Sequence, residues 1–218
     1  MTDVPLRDAA TVVLLRTDGT RGPRVLMGQR GAGAVFMPSK YVFPGGAVDA
    51  GDASQPLARP LQAETRVALS ARSSTAPDTL AAAALRELAE ETGQVIARAC
   101  PDPTLRCDWP GFAGLLPDAA PLRFIFRAIT PPGRPRRFDA RFFLVPADTL
   151  TTDPDDFTRA EDELSHLHWV PLAEARALDM PFITEVVLAE TAAIAAGTDA
   201  PGTPFFDNSG ETSVFHRL

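Results

Sequence analysis

The chain has 218 residues, enough for one domain with a sizeable core. Hydrophobic residues make up 45% and charged residues 22%, and the net charge of −7 excludes a general binder of nucleic acid or anionic membrane, which would carry a basic face. Only Cys100 and Cys107 are present, which excludes a disulfide framework or a thiol-rich zinc site; they read as reduced thiols of a cytoplasmic protein.

Ala9 to Leu15 is a β-branched apolar run that predicts a first strand. A turn at Thr17–Thr20 should return the chain into a second strand, Arg24 to Gln29. Gly31 to Pro38 reads as a loop, in which Phe36 and Met37 either line a ligand pocket or plug a core edge. Tyr41–Phe43 is a short strand running into Pro44-Gly45-Gly46, where paired glycines permit positive φ or close backbone approach. Residues 53–78 read as an insertion with a helix over Leu61–Leu69, and Asp78 or Thr79 should cap a helix that Gly93 ends. Phe112–Leu116 is ambiguous. Leu122–Thr130 and Arg141–Val145 are strands parted by the loop Pro131–Pro135, and His166–Val170 is another. A helix is expected from Pro171 to Leu178, and a last one from Pro181 at N1 to Ala196. Residues 198–218 form a turn-rich C-terminal tail, with one strand at its end. This order gives a single α/β (α+β) domain over 1–218, without internal repeats or a membrane-spanning apolar run.

The chemistry concentrates in Arg86-Glu87-Leu88-Ala89-Glu90-Glu91-Thr92-Gly93. On a helix Glu87 lies three residues before Glu90 and four before Glu91, so one face presents all three carboxylates. Like charges so spaced repel, and hard divalent cations such as Mg²⁺ favour oxygen ligands of this kind. Arg86, four residues before Glu90, can orient it with a forked hydrogen bond. These residues alone fit either a metal site or a solvated acidic face.

Gly46, five residues, Asp52, a long gap and then Arg86-Glu87-Leu88-Ala89-Glu90-Glu91-Thr92-Gly93 resemble a split Nudix box. Asp52 stands where Glu is usual, Gln94 where an apolar residue is expected, and 33 residues part Asp52 from Arg86 where the pattern has seven, an excess of 26. Together with Phe43-Pro44-Gly45-Gly46, the insertion and Pro135–Phe143, the pattern resembles the coenzyme A diphosphatase branch of that family. The resemblance implies a Nudix-type α/β/α sandwich with a mixed central sheet. It implies Mg²⁺- or Mn²⁺-dependent hydrolysis of a pyrophosphate linkage, in coenzyme A or acyl-CoA type compounds ahead of nucleotide sugars, ADP-ribose or NADH. The alternative is a non-catalytic module that senses a nucleotide.

The resemblance further implies Glu87, Glu90 and Glu91 as metal ligands with the Gly45 carbonyl, Glu87 also as a candidate base, and Arg86 as an orienter of a box carboxylate. Asp52 is expected to act through water or in loop structure. A further carboxylate is sought in Glu161-Asp162-Glu163, with Glu163 or Glu161 as base or ligand. Arg30, Arg136 and Arg137 are candidates to fork onto substrate phosphates beside Gly46. His166 and His168 read as surface or core histidines ahead of catalytic ones. The expected partner is a small diphosphate, with a homodimer as the family's common assembly and neither nucleic acid nor membrane expected.

Overall fold

The structure is a computed structural model that describes residues 4–17, 22–100, 102, 104–210 and 212–218. The turn expected at Thr17–Thr20 falls, from Asp18 onward, outside the described residues. The central strand is β1 (Leu6–Arg16), which pairs in parallel with β8 (Arg137–Pro146) along nearly its whole length. On its other side β1 pairs antiparallel with two partners: β4 (Gly45–Ala47) near its start and β2 (Arg24–Arg30) at its end. β7 (Arg123–Ile129) lies antiparallel to β8, β3 (Tyr41–Val42) and β9 (Leu164–Pro171) both pair with β2, and the result is one mixed sheet of nine strands.

Alternation along β1 explains the layers. Ala10, Val12 and Leu14 point to one face and pack with Leu80, Ala84, Leu85 and Leu88 of α2 (Pro77–Thr92). Val13 points to the other and packs with Val187 and Leu188 of α3 (Phe182–Ala195). The sheet is thus buried between helices, the expected α/β/α sandwich. Among the described residues no helix is long and apolar enough to cross a membrane.

Several boundaries move for local reasons. α2 begins at Pro77 after Ala76, so neither Asp78 nor Thr79 is the cap. Proline at the first helical position lacks only an N–H that would go unpaired there. Asp78 sits in the first turn and pairs with Arg66 at 2.6 Å. The helix expected over Pro171–Leu178 is a single 3-10 turn, Ala175–Ala177, because Leu178 turns extended and the Asp179 carbonyl accepts from Tyr41 N. Pro181 is the N-cap of α3, so the helix starts at Phe182, one residue later than expected. β5 (Ala97–Ala99) and β6 (Leu115–Pro117) form a separate two-stranded sheet. Cys100 and Cys107 are both free thiols.

The stretch read as an insertion is anchored at several points. It holds a 3-10 turn (Ala50–Ser54 at its start) and α1 (Ala63–Ser70), and its Leu61 and Leu69 are buried in the α2-side core. Its end is held by a buried network. Arg127 makes a bidentate pair with Asp139 at 2.8 and 2.7 Å and donates to the carbonyls of Ala71 and Arg72. Arg141 donates to Asp8 and to Ser73 Oγ, and Thr75 donates to Asp8. A cavity of about 440 Å³ opens beside this network, lined by Arg72, Ser74, Arg127, Asp139, Arg141 and Phe205; none of the α2 carboxylates lines it. The C-terminal stretch is more regular than a tail: β10 (Pro204–Asp207) pairs with β7, and β11 (Val214–Arg217) closes that edge.

Candidate functional site

The carboxylates stand where the last turns of α2 pass beside β4. Gly93 ends α2 in the left-handed region at φ 71°, its N–H closing on the Ala89 carbonyl. β4 comes so close that a Cβ on Gly46 would lie 2.5 Å from the Glu87 carboxylate, and one on Gly45 would lie 2.5 Å from the Ala10 carbonyl. Backbone leaves room only for glycine at Gly45, whereas a Cβ at Gly46 would have to displace the Glu87 carboxylate. Gly45 N donates to Glu91 Oε2 at 2.7 Å, so its described link to the acids runs through the amide.

Arg86 joins the two sequence fragments. Its Nε and Nη2 fork onto Asp52 at 2.9 and 3.0 Å, and Nη2 also reaches the Ala47 carbonyl at 3.0 Å. Its Nη1 donates to Glu87 at 2.9 Å and Glu90 at 2.8 Å. The fork foreseen for Glu90 therefore goes to Asp52, and Glu90 receives a single bond. Asp52 is 2% exposed and also accepts from Asp49 N at 2.8 Å, so a shorter side chain than Glu still meets the guanidinium directly. Burial pulls the Arg86 guanidinium down, but the hydrogen bond to Asp52 and the charges of Glu87, Asp52 and Glu90 outweigh it and leave it raised.

Burial drives the carboxyls the other way. Glu87 is pushed up to about 7 by desolvation, against the pull of Arg86. Glu91, 3% exposed, is held well above the carboxylate range by burial, with the Gly45 amide pulling down and Glu87 and Glu163 pushing up. Glu90, more open, is raised for the same first reason. Glu163 is thus electrostatically coupled to Glu87 and Glu91, and it pairs with Arg30 at the end of β2 at 2.9 Å.

The structure therefore brings Gly45, Gly46, Asp52, Arg86, Glu87, Glu90, Glu91, Glu163 and Arg30 into one neighbourhood. Arg136 and Arg137 lie outside it. Arg136 is exposed at the β7–β8 connection, while Arg137 is buried and donates to the Thr130 carbonyl at 3.1 Å. His166 and His168 are exposed on β9, and His166, at φ 52°, lies with Leu167 in a bulge of β9 opposite Gly28. Phe36 packs edge-on against Phe138, with ring centroids 5.4 Å apart.

The donor set tests well for a hard cation in its chemistry: all-oxygen, crowded, and short of positive charge at Glu87 and Glu91. As the side chains stand, Arg86 holds oxygens of Glu87 and Glu90, and Arg30 holds Glu163. Among the described residues no three acidic, histidine or cysteine side chains are arranged to chelate. Side-chain rotation at Glu87 and Glu90 is what coordination would require.

The NUDIX domain family model matches residues 75–190. A Nudix hydrolase from Alicyclobacillus acidocaldarius is 30% identical, with a TM-score of 0.65 over 91% of this chain and 99% of that one. The Nudix hydrolase RenU from M. smegmatis, 14% identical with a TM-score of 0.50 over 89% of this chain and 88% of that one, shares the fold. No curated protein matches. With more than half of the chain under the family model, and a Nudix hydrolase superposing across nearly all of it, this chain belongs to the Nudix family and is a pyrophosphohydrolase.

Proposed function

We propose that the chain hydrolyses the pyrophosphate linkage of a nucleoside diphosphate derivative, coenzyme A or an acyl-CoA first among them, with a divalent cation held by Glu87, Glu90 and Glu91. The observation that carries this reading is the meeting of Gly45–Gly46, Asp52 and the α2 carboxylates around one guanidinium, across the inserted stretch. Mg²⁺ or Mn²⁺ bound there would supply the positive charge that a diphosphate needs against an incoming water. Arg86 stays on Asp52 and orients the box carboxylates. Glu163, held by Arg30, receives the proton of the attacking water. Gly46 lets the backbone approach the Glu87 carboxylate closely, and Arg30 offers its remaining donors to a substrate phosphate. Arg137 is left out of this proposal, since its guanidinium is engaged with Thr130.

The branch assignment rests on the inserted stretch and on the Phe43-Pro44-Gly45-Gly46 and Pro135–Phe143 motifs. A hydrolysis panel with Mg²⁺ or Mn²⁺, read by chromatographic separation of the products, tests it: coenzyme A, acetyl-CoA, ADP-ribose, NADH and a nucleoside triphosphate. Coenzyme A compounds should be cleaved fastest. Faster turnover of ADP-ribose or NADH would overturn the substrate assignment, and tight binding without turnover of any compound would overturn the catalytic one.

A further inference from the structure

Gln94 follows the glycine that ends α2, where the Nudix pattern asks for an apolar residue, and it is 0% exposed. A primary amide buried without partners would be strongly destabilising. Each of its polar groups is in fact engaged. Its Nε2 donates to the carbonyls of Asp153 at 3.2 Å and Asp156 at 2.8 Å, and its Oε1 accepts from Thr152 Oγ1 at 2.7 Å. Its own N–H donates to Thr92 Oγ1 at 3.1 Å. Carbonyls only accept, so the amide has one orientation that satisfies this set.

All three side-chain partners lie in one segment. Residues 150–163 run without helix or strand from the 3-10 turn at Ala147–Thr149 to the start of β9. A segment with no ladder of its own must be fixed by contacts to its neighbours. At its near end Thr151 N donates to the Val95 carbonyl at 2.8 Å. In its middle stands Gln94, assisted by Trp169 Nε1 on the Pro154 carbonyl at 2.9 Å. At its far end Glu161 N donates to the Glu90 carbonyl at 2.8 Å, two residues before Glu163.

We infer that Gln94 is a positioning residue: it clamps segment 150–163 onto the end of α2 and so sets Glu163 against the box carboxylates. The inference rests on the role proposed above for Glu163. An apolar residue could fill the same volume, but it would take from the Asp156 carbonyl its side-chain donor, from the Thr152 hydroxyl its acceptor, and from the Asp153 carbonyl one of two donors, the other being Asp156 N. The departure from the family pattern is thus a built connection between the helix that carries three of the acids and the loop that delivers the fourth.

Gln94→Met keeps the length and removes every side-chain hydrogen bond. In hydrogen exchange the amides of 152–163 should exchange at least about tenfold faster, while those of α2 at 80–91 keep their protection. With Mg²⁺ and coenzyme A, or whichever panel compound is turned over fastest, kcat should fall about tenfold with KM within about twofold, as a slightly misplaced catalytic group costs. In a Glu163→Gln background the same change should lower kcat less than about twofold. Thr152→Val, which removes one leg of the clamp, should give a smaller change in the same direction and serves if Gln94→Met does not fold. Unchanged exchange in 152–163, or an equal fall of kcat in both backgrounds, overturns the clamp. If Glu163→Gln alone leaves turnover unchanged, the role of Glu163 fails instead, and the exchange result still decides whether Gln94 holds the segment.

Discussion

Replacing Arg86 by Met would test the idea that one guanidinium holds the split motif together. Arg86 makes five hydrogen bonds, two of them to Asp52, whose side chain is 1% exposed. Removing it strands that carboxylate in the interior, a loss of about 3–5 kcal/mol for a broken buried pair. For a chain of this size each kcal/mol moves Tm by roughly 2–4 °C, so thermal unfolding of the metal-free protein should fall by about 6–20 °C. Asp52→Asn should also destabilise. The double variant Arg86→Met/Asp52→Asn should lose clearly less than the sum, since the second change removes the charge that the first left unpaired. Calorimetry or circular dichroism on the four proteins completes the cycle. A Tm drop under about 3 °C for Arg86→Met, or additive losses in the double variant, would refute the reasoning.

Other expectations follow from the same geometry. Glu90→Gln should remove Mg²⁺-dependent turnover while circular dichroism shows an unchanged fold; retained activity would exclude the ligand role. Gly46→Ala places a Cβ 2.5 Å from the Glu87 carboxylate, so turnover should fall by at least about a hundredfold. Because burial raises Glu87 from 4.5 to about 7, the folded metal-free protein binds its proton more tightly than the unfolded chain does. That contribution is fully present below pH 4.5 and is lost as pH rises through about 7. The urea midpoint with EDTA should therefore be lower at pH 8 than at pH 6, and Glu87→Gln should shrink the difference. Burial also raises the Cys107 thiol, so a thiol reagent at neutral pH should leave Cys107 unmodified until the protein is unfolded.

The acidic helix, its glycine stop and the strands β1, β2, β7, β8 and β9 were legible because each has a clear period or terminator. β10 was not, since a four-residue strand at a sheet edge leaves little pattern among prolines and glycines. The short helix before Pro181 failed because a long-range backbone bond, Tyr41 to Asp179, decides that stretch. Asp52 illustrates the same limit within the site. Its spacing from Gly46 is visible, but its partnership with Arg86 depends on how residues 53–85 fold back. Arg127, Asp139 and Arg141 were missed for a related reason: charged residues within strands look like solvent-facing positions until the inserted stretch is seen to cover them. One available signal was the pair Asp139 and Arg141, two apart and so on one face, with a third charge on the neighbouring strand.

Keeping the two motif fragments 33 residues apart, where seven is the pattern, has a chain-entropy consequence that can be sized. The closure term grows only with the logarithm of length, so the longer excursion costs about 1.4 kcal/mol. Fully burying a leucine returns roughly 1.5–3 kcal/mol. Leu61 and Leu69, 4% and 2% exposed, therefore more than offset this closure term. A further doubling of the excursion would add only about 0.6 kcal/mol. Closing the longer excursion is thermodynamically almost neutral so long as those two side chains stay seated.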